Sequence, residues 1–177
     1  MKFGDFLNQI HIKILEYTTS EQRIKYLRRQ GVKIGQNCTI NSLCFSTEPY
    51  LIEIGNHVAI ANGTSFITHD GSVRCFHDEF EGGIYGKIEI GSNVVIGMNC
   101  IILYNTTIGD NCIIGAGSIV RGQFPDNSVI VGNPAKVVLN TNIQKILYRN
   151  NSGLLKTNNI SASEKDKLVK KHFGVGQ

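Results

Sequence analysis

The chain has 177 residues, of which 41% are hydrophobic, and a formal net charge of +4. That composition supports a core and excludes global disorder, and the length suits one domain with terminal additions. The charge is only mildly basic, and no Lys/Arg run is interleaved with aromatics, which excludes an evident nucleic-acid surface. Lys165, Lys167, Lys170 and Lys171 read as a solvated helix face. No window approaches the roughly 18 apolar residues that span a bilayer, and the opening MKFGDFLNQIHIKILEY lacks the continuous apolar segment of a signal peptide. The expectation is a cytoplasmic protein with no stable membrane insertion.

Residues 1–31 read as an N-terminal helical cap. One amphipathic stretch spans about Phe3 to Tyr17. A second follows Thr19 and Ser20, with Gln22 placed as in a capping box, Arg28 and Arg29 in the last turn, and Gly31 as the residue past the end.

From Val32 a different period takes over. Ile90, Ile96, Ile102, Ile108, Ile114 and Val120 fall at every sixth position. Six matches neither the helical period near 3.6 nor the strand period of 2. It matches a three-sided prism in which each side takes six residues and sends one aliphatic inward, the hexapeptide signature of a parallel β-helix. Ile34, Ile40, Ile54, Ile60 and Phe66 extend the column toward the N-terminus. Between Ile40 and Ile54 the count runs two residues over, so FSTEPYLIE (Phe45 to Glu53) contains a bulge, with Pro49 at an irregular corner. Glycine recurs after the aliphatic at Gly35, Gly55, Gly91, Gly97, Gly109 and Gly115, which implies backbone geometry that a Cβ would strain. The span from Val32 to Phe124, less one interruption, gives about four to five coils at the spacing of paired strands.

A second inward column lies two residues before each aliphatic. It holds Val32, Val58, Thr64, Ile88, Val94, Thr106 and Ser118, together with Cys38, Cys44, Cys100 and Cys112. Four of the five cysteines therefore read as small buried hydrophobes rather than as metal or redox groups. Cys75 stands outside the column.

The interruption is residues 71–87, GSVRCFHDEFEGGIYGK, where glycines, charges and aromatics replace the inward aliphatics. It reads as a loop extruded from the prism, and a loop of this length is usually functional. The β-helix domain is expected over 32–138, with VGNPAKVV (Val131 to Val138) turning the chain off the prism. Residues 139–177 form a C-terminal extension, with a short helix over 141–149 and another near 162–172 capped by Ser161 or Ser163.

The segments ITHDG (Ile67 to Gly71), IEIGSNVVIGMNCIILYNTTIGDNCIIGAGSIV (Ile88 to Val120) and VGNPAKVV resemble the hexapeptide-repeat acyltransferases. The resemblance covers about Val32 to Val138. It is greatest to O-acetyltransferases of surface-glycan biosynthesis, and extends to galactoside, maltose and streptogramin acetyltransferases. It implies a left-handed coil, against the usual right-handed crossover, a homotrimer with active sites between subunits, acetyl-CoA as co-substrate and no metal. It also implies a sugar or glycan acceptor.

Acetyl transfer to a hydroxyl needs a base for the departing proton, a donor for the oxyanion and a place for coenzyme A. A histidine suits the base. His69 ends a repeat just before the extruded loop, and the resemblance puts the catalytic histidine at this position. Its orienting partner is open: Asp70 is adjacent but sits on the opposite face of a strand, and Glu79, Glu81 or a backbone carbonyl are alternatives. Asp70 is also a candidate for the acceptor. Asn62 either binds the acceptor or closes the Asn-Gly turn. Phe80 and Tyr85 either stack on a sugar ring or pack on the prism. By position in the family, Gly97, Ala116 and Gly117 admit the pantetheine arm, and Arg121 and Lys136 meet the phosphates. This chain has Arg121-Gly122 where many relatives have a Thr-Lys pair.

Three other functions fit the same prism. N-acetylation of an amino-sugar nucleotide shares fold and base. A zinc lyase of the γ-carbonic-anhydrase kind needs three histidines; His57, His69 and His77 are available but form no close ligand pair on a repeat. A non-catalytic trimeric scaffold predicts no coenzyme A binding.

Overall fold

A computed structural model describes residues 13–15 and 17–176. Most of the first expected helical stretch lies outside these residues; within it, Lys13–Leu15 are helical and Leu15 is buried. Helix α1 (Ser20–Arg29) begins with the expected capping box: Gln22 N–H donates to Thr19 Oγ1 and Thr19 N–H donates to Gln22 Oε1. It stops where Gly31 takes a φ of 101°, a conformation that costs glycine nothing.

The expected prism is present. Its first side stacks Ile34, Ile54, Ile90, Ile108 and Phe124 in parallel register. The second stacks Ile40, Ile60, Ile96, Ile114 and Ile130. The third stacks Phe45, Phe66, Ile102 and Val120. These rows make four complete coils and part of a fifth. The six aliphatics of the central repeat are all buried and form one core, so the stack is driven by apolar burial along a single axis.

α1 closes the open end of that stack. Ile24 and Leu27 join the core, while the polar face meets the unpaired backbone of the first coil. Ser20 Oγ accepts from Ile40 N–H at 2.7 Å, and the Arg28 guanidinium donates to the carbonyls of Ile34 and Gly35. A bare parallel edge would otherwise offer these groups to another chain. At the far end, Ser128–Gly132 runs parallel to the second side and Ala135–Asn140 returns antiparallel to it. VGNPAKVV thus makes a hairpin that widens the second side, instead of leading straight off the prism.

The reason for the recurring glycines differs from the expected one. Gly35, Gly55, Gly91, Gly97, Gly109 and Gly115 do not have positive φ. The left-handed corner positions belong to Asn37, His57, Asn93, Asn99, Asn111 and Asn127, and to Gly117 two residues after Gly115. The glycines are needed because coils touch: a Cβ on Gly55 would lie 2.7 Å from the Gly91 carbonyl carbon, and one on Gly91 would lie 2.7 Å from that of Gly109.

The cysteine column holds at Cys100 and Cys112, which are buried, and in part at Cys38. It fails at Cys44, which is exposed. Here the inward position comes one residue early, at Phe45, whose ring stacks on Phe66 with centroids 4.6 Å apart. Alternation along the strand then turns Cys44 outward.

The chain parts into two compact units between Asn142 and Ile143. Helix α2 (Thr141–Arg149) spans that division. Within the second unit, helix α3 (Ala162–Phe173) starts at a Ser161/Glu164 capping box and ends at Gly174, φ 65°.

Candidate active site

Two irregularities in the repeat meet at one point. The third side ends with Thr68 pointing inward, fully buried, so alternation turns His69 outward. There the chain leaves the prism. His69–Asp70 pairs antiparallel with Ile84–Tyr85, so the extruded segment closes as a small hairpin with a 3-10 turn over Ser72–Phe76.

One coil earlier, the extra residues after Phe45 form a corner ending in the 3-10 turn Pro49–Leu51. This corner brings Glu48 against His69, with Oε2 2.9 Å from Nδ1. The Ser46 hydroxyl lies 3.2 Å from the same nitrogen. Thr68 Oγ1 donates to Glu48 Oε2 at 2.7 Å and Thr47 Oγ1 to Oε1 at 2.6 Å. The Thr47 hydroxyl first, then Thr68 and His69, draw the Glu48 carboxyl down from 4.5 to about 2. Ionised, it can only accept. The proton of a neutral His69 is therefore held on Nδ1, and Nε2 keeps its lone pair. That is the tautomer a general base needs.

Glu48 is the partner that sequence reasoning missed. Its signal was present, because the bulge had been located, but the repeat count could not say which residue of the bulge faces the next coil. Glu79 and Glu81, proposed for this role, lie on the exposed loop and make no contact with the ring. The Asp70 carboxylate also points elsewhere: it accepts from Ser72 N–H at 2.8 Å and from Tyr104 Oη at 3.0 Å. These bonds, the Ser72 one foremost, hold its carboxyl below the usual carboxylate range.

His69 and Glu48 line a pocket of about 420 Å³, together with Thr47, Arg74, Tyr85 and the Gly82–Gly83 pair. The Tyr85 ring is tilted toward the imidazole at a centroid distance of 6.0 Å. Phe80 is not part of this wall; it packs edge-on against Phe76 on the exposed loop. Asn62 lines a different groove, beside Asn41, Cys44 and Phe45, and the tight turn it shares with Gly63 (φ 74°) accounts for it locally.

The residues expected to meet coenzyme A lie in separate places. Gly97 is pressed on Ala116, where a Cβ would come 2.5 Å from the Ala116 nitrogen. Ala116 and Gly117 are exposed, and Gly117 has open space before it. The Arg121 guanidinium sits 4.2 Å above the Tyr104 ring, on the third side, and contributes to the low carboxyl range of Asp70. Lys136 is exposed on the C-terminal hairpin, opposite Val131. His57 occupies a left-handed corner and His77 pairs with Asp78 on the loop. Among the described residues no three His, Cys, Asp or Glu side chains are grouped as metal ligands.

Comparison with known proteins agrees with this architecture. Residues 87–122 match the family described as bacterial transferase hexapeptide (six repeats). The chain is 43% identical to protein CapG of Staphylococcus aureus over 136 residues, covering 75% of this chain and 77% of CapG. It is 37% identical over 108 residues to a candidate acetyltransferase of S. aureus strain Mu50, covering 61% of this chain and only about half, 54%, of that protein. Among solved structures, a maltose O-acetyltransferase from Clostridium difficile 630 superposes with a TM-score of 0.53 at 27% identity, covering 73% of this chain and 81% of that one. The chain belongs to the hexapeptide-repeat acyltransferase family. It is by class an acetyltransferase, and its coil has the left hand of that fold.

Proposed function

We propose that the protein is an acetyl-CoA-dependent O-acetyltransferase of a sugar hydroxyl in surface-polysaccharide biosynthesis, with His69 as general base. The observation that carries this reading is the Glu48–His69 pair, which holds the proton on Nδ1 at the wall of an open pocket. His69 Nε2 takes the acceptor hydroxyl proton as the oxygen attacks the thioester carbonyl carbon. The tetrahedral adduct then collapses, the C–S bond breaks, and His69 returns the proton to the departing sulfur. Glu48 stabilises the imidazolium formed in between.

Tyr85 offers the ring face on which a sugar stacks. Gly97, Ala116 and Gly117 present a smooth surface for the pantetheine arm, and Arg121 and Lys136 supply charge for the phosphates. The acceptor class is supported by likeness to a maltose O-acetyltransferase, and the polysaccharide role by the resemblance of the repeat segments to O-acetyltransferases of surface-glycan biosynthesis. In this reading the protein is a cytoplasmic homotrimer, the neighbouring subunit completing each site; no helix among the described residues is long and apolar enough to cross a membrane.

Purified protein incubated with acetyl-CoA and a sugar panel tests the reading. An alkali-labile acetyl ester must form, and His69→Ala must abolish it. An alkali-stable amide product, or undiminished transfer by His69→Ala, would refute it.

A further inference from the structure

The wall of the His69 pocket carries two carboxylates and one guanidinium, and their situations differ. Glu48 is engaged by Thr47, Thr68 and His69. Asp70 is engaged by Ser72 and Tyr104. Both anions are thus already engaged by donors of the protein itself. Arg74 is the single Arg or Lys among the residues lining the pocket. The backbone that carries it is held in place: Ser72 N–H bonds to Asp70, and Arg74 N–H bonds to the Gly71 carbonyl, so the 3-10 turn is tied to the base of the hairpin. Gly71 and Gly82 have nothing within 4 Å of a would-be Cβ. Both glycines line the same pocket as Arg74, so its rim is open at these two positions.

We propose that the acceptor is an anionic sugar whose charged group is held by Arg74 while its target hydroxyl faces His69. The inference rests on the sugar O-acetylation reading and narrows it. A guanidinium presents a planar fork of donors that matches a carboxylate or a phosphate in two parallel bonds. Two sources share this chemistry: the carboxylate of a uronate, and the phosphate of a sugar phosphate or nucleotide sugar. Tyr85 packs against the ring between the two ends.

Steady-state transfer to four acceptors with the same hexose ring tests this: methyl glucoside, glucuronate, glucose 1-phosphate and UDP-glucose. An anionic acceptor is expected to exceed the neutral one in kcat/KM by about tenfold or more, the factor one charge-assisted pair supplies. Arg74→Gln is expected to collapse that ratio toward one, through the acceptor KM and not the KM for acetyl-CoA. Arg74→Lys is expected to restore part of it. Preference for glucuronate or for the phosphates identifies the source. Equal use of all four with full dependence on His69 overturns the inference and leaves sugar acetylation standing. A KM effect of Arg74→Gln confined to acetyl-CoA also overturns it, assigning the guanidinium to the phosphates of the donor. Transfer to none of the four overturns both.

Discussion

Glu48 and His69 come from successive coils, and their 2.9 Å contact exists because the repeat is broken in both. The extra residues after Phe45 carry the carboxylate outward, and the exit of the hairpin at His69 carries the imidazole to meet it. Glu48→Gln tests the electrostatic part of the pairing. The amide oxygen can still accept from Nδ1–H, so ring and tautomer are kept while the negative charge is lost. We expect kcat to fall by about tenfold or more, within the roughly 10²–10⁴-fold that general base catalysis contributes and that His69→Ala removes in full. An undiminished kcat would mean that Glu48 only packs.

The same carboxylate gives stability a pH dependence of definite sign. Its folded pKa of about 2 lies below the ordinary 4.5. Between those values the unfolded chain binds the proton and the folded one does not. Its contribution is fully present above 4.5 and is lost as pH falls toward 2. Urea midpoints should therefore show Glu48→Gln less stable than the parent near neutral pH, with the gap closing near pH 2 to 3. A gap that stays constant across that range contradicts the assignment.

The coil was legible in the sequence because period six has one geometric meaning. The row from Ile90 to Val120 is in the core throughout, and the capping box at Thr19 and Gln22 is present in both directions. The place of His69 was legible because the repeat stops there before the extruded loop, and its candidacy as base because ITHDG resembles the family's motif. What was not legible depends on contacts across coils. Cys44 shifted outward because the bulge begins one residue before the repeat predicts, at Phe45. Glu48 was hidden for the same reason, since an inserted corner has no period from which to read a direction. Tyr104 belongs to the regular run, and nothing local says that its hydroxyl reaches Asp70.

The stacking of glycine corners makes opposite predictions for two neighbouring sites. In Gly91→Ala the new methyl meets the side chain of Asp110 and the backbone of Gly109, and that backbone cannot move without parting the coils. Overpacking of this kind costs about 1–3 kcal/mol. His57 instead occupies a left-handed corner that asparagine fills at Asn37, Asn93, Asn111 and Asn127. Asparagine tolerates this conformation better than other L-residues, so His57→Asn should raise stability by up to about 1 kcal/mol. Denaturant midpoints of the two variants must move in opposite directions if coil contact and backbone conformation are correctly assigned.

The open end of the prism offers the last test. Ser20 is the first residue of α1, and its hydroxyl accepts from Ile40 N–H, a first-coil donor with no coil before it. Ser20→Ala leaves the cap Thr19 and the capping box intact but orphans that donor, at a cost of about 1–3 kcal/mol. Arg28→Ala similarly strips the carbonyls of Ile34 and Gly35. Each variant should lower the urea midpoint. The double variant should also aggregate faster at equal fraction unfolded, because an uncovered parallel edge is a template for another strand. Loss of stability without faster aggregation would show that α1 acts through Ile24 and Leu27 alone, and that the backbone of the first coil is adequately met by water.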